Sequence, residues 1–300
     1  MFYTDLNYMD KTKKIIFLWL ILFSSIQPAA AQVTATTDTA RAEQNLQNSF
    51  TTPPHLREPT FEFKTKRDLP ILAGGAAMAI GGFVLKARVP QLTEAQLADL
   101  DPGTINAFDR GAVDNLRELD SNLSDYLLGV SALAPFSVLA SRAIRRESLA
   151  IMVMYLETAS LTGGLTNLSK GLFRRKRPYV YNPDALLKDR TKVSARHSFF
   201  SGHVAASASF MYLTAYMVDR YADRPVWKWA AWSGAVVIPG SIAVWRYTSG
   251  KHFPTDVLAG YAVGAGVGLL IPMIHRHQLP KDISLNIQPT PYGLHASLTF

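Results

Sequence analysis

The 300-residue chain has no cysteine, which excludes thiol nucleophiles, disulfides, iron–sulfur clusters and cysteine-ligated zinc. Its chemistry has to come from histidines, carboxylates, hydroxyls or cations. Charge is sparse at 18% of residues, and acid is the scarcer sign: 23 Asp and Glu against 31 Lys and Arg leave a net charge of +8. That balance suits an anionic partner, with nucleic acid, acidic lipid and phosphate all open at this level. A hydrophobic content of 48% excludes an intrinsically disordered chain. No internal repeat is visible.

Lys11, Lys13 and Lys14 precede an apolar run over 15–26 and then Pro28-Ala29-Ala30-Ala31. This is the pattern of a secretory signal peptide, assigned to residues 1–31, with Met9 as an alternative start and an uncleaved anchor helix as the alternative reading. Residues 32–68, rich in Thr, Gln, Asn and Pro, are expected to be an exposed lead-in. Six apolar runs follow, at 69–85, 123–140, 149–168, 199–218, 226–244 and 257–274. They predict an all-α, membrane-embedded bundle of about six helices over 69–277, set against a soluble, wholly buried bundle. Mean hydropathy is only +0.06 because the runs are heavy in Ala, Gly and Ser, residues that suit close helix packing. The tail, 278–300, alternates apolar and polar residues from 283 onward and reads as a short β-hairpin.

Three constellations at helix ends carry the chemistry. The first, Lys170-Gly-Leu-Phe-Arg-Arg-Lys-Arg177-Pro178, puts cations after the third run. The second, Ser198-Phe-Phe-Ser201-Gly202-His203, opens the fourth. There Ser201 is the expected N-cap, and free N–H groups at the positive end of the helix dipole suit an anion. The third is Arg246-Tyr-Thr-Ser-Gly-Lys-His252-Phe-Pro254-Thr255-Asp256. Pro254 starts a helix whose first turn brings Asp256 toward His252; a carboxylate on one ring nitrogen leaves the other free as nucleophile or base. Each pattern has an ordinary reading as a solvated basic run, a capped helix or a loop histidine. Their joint chance occurrence is on the order of one chain in tens of thousands.

The three-part pattern resembles the type-2 phosphatidic acid phosphatase superfamily, which also holds bacterial class A acid phosphatases, glucose-6-phosphatase and vanadium haloperoxidases. The signature reads here as KGLFRRKRP, FSGH and WRYTSGKHFPTD, with Phe200 where the family has Pro and Trp245 where it has Ser. The resemblance implies His252 as nucleophile, Asp256 as its orienting carboxylate and His203 as general acid. Lys170, Arg177, Arg246 and the Ser201-Gly202 segment would hold the phosphoryl oxygens, with neither metal nor other cofactor required. The expected substrate is a lipid phosphate or lipid diphosphate met within the membrane, not a nucleic acid. Vanadate-dependent halide oxidation and non-enzymatic anion binding or transport are the alternatives.

Among other candidates, Glu157 lies inside the third run and is read as pairing with another helix. Asp125 is read as interfacial, His197, His275 and His277 as surface or dipole-compensating residues, Lys251 as a solvated loop lysine, and Trp227, Trp229 and Trp232 as an interfacial belt. Arg142, Arg145 and Arg146 argue for a cytoplasmic loop. An outward, periplasmic site then requires one early run not to span. The run 69–85, about 24–26 Å long against a bilayer core of roughly 30 Å, is the expected one.

Overall fold

A computed structural model describes residues 60–140 and 144–276, and the backbone alone at 284–290 and 293–299. The signal-peptide segment, most of the lead-in, Arg142 and His277 lie outside the described residues. Nine helices are found among those described: α1 (Thr65–Ala87), α2 (Glu94–Ala98), α3 (Ala107–Arg110), α4 (Glu118–Leu133), α5 (Ser148–Phe173), α6 (Leu187–Arg190), α7 (Gly202–Tyr221), α8 (Pro225–Thr248) and α9 (Pro254–Ile274). A 3-10 stretch, Ala134–Ala140, prolongs α4. Strands β1 (Ser284–Thr290) and β2 (Gly293–Thr299) pair antiparallel, Ser284 opposite Thr299 and Thr290 opposite Gly293.

The six long helices coincide with the six apolar runs. Among the described residues, four segments are long and apolar enough to cross a membrane: Thr65–Ala87, Glu118–Ala140, Ile144–Val180 and Pro254–Ile274. Their outward faces suit lipid, with Ile80, Phe83, Leu133, Leu156 and Leu258 all exposed. The fold is a membrane-embedded helical bundle.

Two expectations are corrected at α1. It begins at Thr65 because the apolar pattern could not register the charged first turn, where Asp68 is buried and bonded to Arg67 and to the Lys64 N–H. Phe61, also assigned to the exposed lead-in, is 1% exposed and packs against Tyr216 and Tyr221. At 23 residues, α1 spans about 34 Å. It is therefore long enough to cross, and the premise that this run is too short falls.

α7 is the central element. On one side α9 runs parallel to it: a Cβ on Gly260, Gly264 or Gly268 would strike the backbone of Ser201, Ala205 or Ser209 in turn. Only a glycine stripe allows that approach, a packing device suited to membrane helices. α4 also runs parallel to α7, with Asp125 beside His203 and Ser131 bonded to Ser207 at 2.7 Å. α5 and α8 run antiparallel to it: Tyr155 of α5 stacks on Phe210, and Met211 and Ala215 pack with Ala235 and Ile238 of α8. α1 follows α5 in the same direction, Gly75 lying on Ser160 and Gly82 on Asn167. One end of the bundle thus gathers the C-termini of α1, α5 and α8 with the N-termini of α4, α7 and α9. All three sequence constellations meet there.

Candidate active site

Lys170 lies in the last turn of α5, which closes at Arg174 in a left-handed conformation (φ 48°) and turns the chain toward Arg175 and Arg177. A Cβ on Gly202 would lie 3.3 Å from Lys170 Nζ and 2.9 Å from Thr166 Cγ2. The lysine therefore reaches the amino end of α7, where the first N–H groups have no intrahelical acceptor. Ser201 precedes the helix without a side-chain capping bond, contrary to expectation. Its backbone N–H is tied to Asp256 O at 3.0 Å, and Oγ is left buried with no hydrogen-bond partner among the described residues. Arg177 is fixed by backbone carbonyls, its Nε donating to Ser194 O at 3.0 Å and Nη1 to Lys251 O at 3.3 Å.

His203 Nε2 is 2.8 Å from Asp125 Oδ1, and the same oxygen is 3.6 Å from Arg246 Nη1. Arg246, buried on the last turn of α8, also donates to Ser124 Oγ at 3.3 Å, while its Nε has no partner among the described residues. Asp125 was read as merely interfacial. Its i−4 and i+4 neighbours on α4 are Ser121 and Gly129, so no local pattern ties it to the site; only the packing of α4 beside α7 does.

His252 is 1% exposed and neither ring nitrogen has a hydrogen-bond partner among the described residues. Nδ1 lies 3.6 Å from Asp256 Oδ2, within ion-pair range but beyond a hydrogen bond. Asp256 is held from every other side: Ser198 Oγ donates to Oδ2 at 2.5 Å, Phe253 N at 2.9 Å, and Arg175 Nη1 to Oδ1 at 2.6 Å. Arg175 then continues to Asp109 Oδ2 at 2.7 Å and lies over the Phe253 ring, 4.2 Å from its centroid. Burial alone would raise the Asp109 carboxyl, but donors from Asn106, Thr255 and Arg175 hold it below the usual carboxylate range. The loop carrying His252 turns at Gly250 (φ +66°), where a Cβ would collide with Asn115 O, so glycine is required.

Burial pushes the His252 pKa well below the ordinary histidine value, and Arg177, Arg246, Lys170 and His203 push it further the same way. The imidazole is therefore neutral at physiological pH. The folded pKa lies below the unfolded value of about 6.5, so the folded protein resists a proton that the unfolded chain accepts, and this contribution to stability is lost as pH falls below about 6.5. In protein labelled with 13C-histidine, the His252 resonance, assigned with His252→Gln, is expected to keep its neutral shift at pH 5.5. Titration near 6.5 would contradict it.

His197 is buried rather than on the surface; burial, then Lys86, Lys170 and Arg177, lower its pKa to about 4. Burial followed by Arg177 and Arg246 lowers Lys251 too, and its Nζ lies 5.2 Å from the Tyr179 ring centroid instead of free in solvent. His275 is likewise wholly buried, at the far end of the bundle. All eight site residues expected from sequence thus converge, and Asp125, Arg175, Asp109 and Ser198 join them. The arrangement offers unpartnered donors, a helix amino end and a neutral imidazole to one anion.

The PAP2 superfamily model matches residues 150–279. Among solved structures, the chain is similar to one described as the first transmembrane PAP2 type phosphatidylglycerolphosphate phosphatase from Bacillus subtilis, at 22% identity and a TM-score of 0.41, covering 66% of this chain and 93% of that one. The matched residues, 150–279, hold every residue of the three constellations.

Proposed function

We propose that the protein hydrolyses a lipid phosphate or lipid diphosphate through a phospho-histidine on His252. The observation that carries this reading is a buried, neutral His252 with no hydrogen-bond partner among the described residues, surrounded by Arg177, Arg246 and Lys170. Phosphoryl transfer demands charge neutralisation at the equatorial oxygens above all, and three cations with the amino end of α7 supply it. His252 Nε2 attacks phosphorus while His203 gives its proton to the departing oxygen. His203 then takes a proton from the attacking water, the N–P bond breaks, and inorganic phosphate leaves. Asp256, anchored by Arg175, stabilises the imidazole as it gains positive character, and the 3.6 Å gap closes to a hydrogen bond. Vanadate, a trigonal-bipyramidal mimic once bonded to His252, is expected to inhibit strongly. A 32P label that is acid-labile, alkali-stable and absent from His252→Gln would support the intermediate; a wild-type enzyme that never acquires label under rapid quench would count against it.

A lipid substrate is favoured by a groove of about 190 Å³ that leaves the site at Gly202 and runs between α5 and α7, lined by Ala159, Thr162, Gly163, Thr166, Asn167, Ala206 and Phe210. It is narrow and mostly apolar, as an acyl or prenyl chain requires. A Cβ on Gly163 meets nothing within 4 Å, so Gly163→Leu fills the groove without disturbing the helix contact. Its kcat/KM for a lipid phosphate is expected to fall about tenfold or more, and for a short soluble phosphate ester far less. Equal losses on both substrates would remove the groove from the reading.

The same proposal places the site on the extracytoplasmic face. Its support is the set of cations at the opposite end, Lys64, Lys66, Arg145, Arg146, Arg220 and Arg224. The site end carries cations as well, some of them held by carboxylates or carbonyls, as Lys192 is by Asp189 and Arg190 by Val180 O; at the opposite end Lys64 and Arg220 likewise pair with Glu62 and Asp219. If all six long helices cross, the residues before Thr65 are cytoplasmic, so a cleaved leader and an outward site exclude each other. In intact cells, Thr191→Cys is expected to react with an impermeant thiol reagent and Ala222→Cys only after permeabilisation. The reverse would turn the molecule over.

A further inference from the structure

At the end of the bundle away from His252, three ionisable side chains on three helices face one another. Asp68 belongs to the first turn of α1, Glu157 lies inside α5, and His275 caps α9; all three are completely buried. His275 Nε2 is 3.2 Å from Glu157 Oε2 and 3.3 Å from Asp68 Oδ1. Sequence reading gave Glu157 a helix-pairing role, and it does meet other helices here, yet the pairing is incomplete. Both Glu157 oxygens and His275 Nε2 have no hydrogen-bond partner among the described residues.

The tautomer explains why. His275 Nδ1 is 2.9 Å from Ile271 O; a carbonyl only accepts, so Nδ1 carries the proton and the neutral ring directs its lone pair from Nε2 at the two carboxylates. Three acceptors converge with no donor among them. Asp68 is meanwhile oriented from outside, Oδ1 by Arg67 Nε and Oδ2 by the Lys64 N–H at 2.8 Å.

We propose that Asp68, Glu157 and His275 bind a divalent transition-metal ion of the zinc class. Ligands 2.0–2.1 Å from a tetrahedral ion stand about 3.3 Å apart, which matches the two separations from Nε2. Two carboxylates and a neutral imidazole balance a 2+ charge. Glu157, with both oxygens free, can chelate and complete four donors. The outer contacts also fit: a metal-bound histidine commonly donates its other N–H to a backbone carbonyl, as His275 does to Ile271, and a ligating carboxylate is itself hydrogen-bonded, as Asp68 is. Such an ion would pin α1 and α9 to α5 at the end of the bundle away from catalysis, so the inference is independent of the proposed reaction.

The test uses the full chain, purified in detergent, stripped with a chelator and titrated with ZnCl2 or CoCl2. About one ion per chain is expected by elemental analysis, a rise in Tm on adding zinc, and the intense visible absorption of tetrahedral cobalt. Glu157→Gln and His275→Gln should each lose the bound ion and the zinc-dependent Tm rise. The cobalt spectrum of the wild-type chain decides the matter even if a variant fails to fold. A wild-type chain with no ion and no Tm response would mean that a shared proton holds the cluster, overturning the proposal; an ion retained in full by both variants would place it elsewhere and overturn it equally.

Discussion

His252→Ala is expected to lower kcat by about 10⁴-fold or more while leaving a folded, helical protein. The two halves of that expectation have separate causes. The side chain makes no hydrogen bond that the fold would miss, so its removal leaves a small cavity, with destabilisation of about 1–3 kcal/mol. On the proposed mechanism the reaction, by contrast, loses its nucleophile, and the cations that remain can bind phosphate without cleaving it. Substrate binding should therefore survive: a variant with wild-type-like affinity for phosphate or vanadate and no burst of product separates chemistry from assembly. His203→Ala should stop leaving-group departure and water activation, with a smaller loss for substrates whose leaving group is already acidic. Full turnover by His252→Ala would end the mechanism.

The sequence made much of this legible because its signals were local. An apolar run records a membrane helix whatever its neighbours do, and all six long helices fall on such runs. The motifs were equally local: Lys170, Ser201-Gly202-His203 and His252–Asp256 each sit within a turn of a helix end, where N–H groups and dipoles are predictable from the chain itself. What escaped was long-range. Asp125 meets His203 across 78 positions, and Asp109 meets Arg175 across 66; neither lies in a motif. His197 and His275 were misplaced for the same reason, since a histidine near a helix end has no periodicity to declare itself buried. Asp68 shows the converse failure: a charge in a polar stretch made the predicted helix start too late, although its partners were waiting on α5 and α9. Two carboxylates and a histidine brought together only by the packing of α1, α5 and α9 leave no trace in spacing.

Arg175→Ala is expected to be the most damaging change at the site among residues that do not touch the substrate. One guanidinium answers two carboxylates that are both fully buried, Asp109 at 2.7 Å and Asp256 at 2.6 Å, and its Nη1 also meets Thr255 Oγ1 at 2.7 Å. Removing it leaves two buried negative charges without their cation, and breaking a buried pair in this way costs about 3–5 kcal/mol. The loss reaches catalysis through Asp256: freed from Arg175, it is still held by Ser198 and by the Phe253 N–H, but its carboxyl no longer has a cation to keep it ionised and turned to His252. A fall in Tm of several degrees should therefore accompany a loss of kcat larger than the change in KM. Arg175→Lys retains the charge but cannot span both carboxylates at once, so it should recover part of the stability and little of the rate. The decisive comparison is Asp109→Asn in the Arg175→Ala background. If the cost comes from an uncompensated charge, neutralising Asp109 returns some of the lost Tm and none of the lost kcat, because Asp256 remains unanchored. Recovery of both, or of neither, would show that Arg175 acts by packing over Phe253 and not by bridging the two carboxylates.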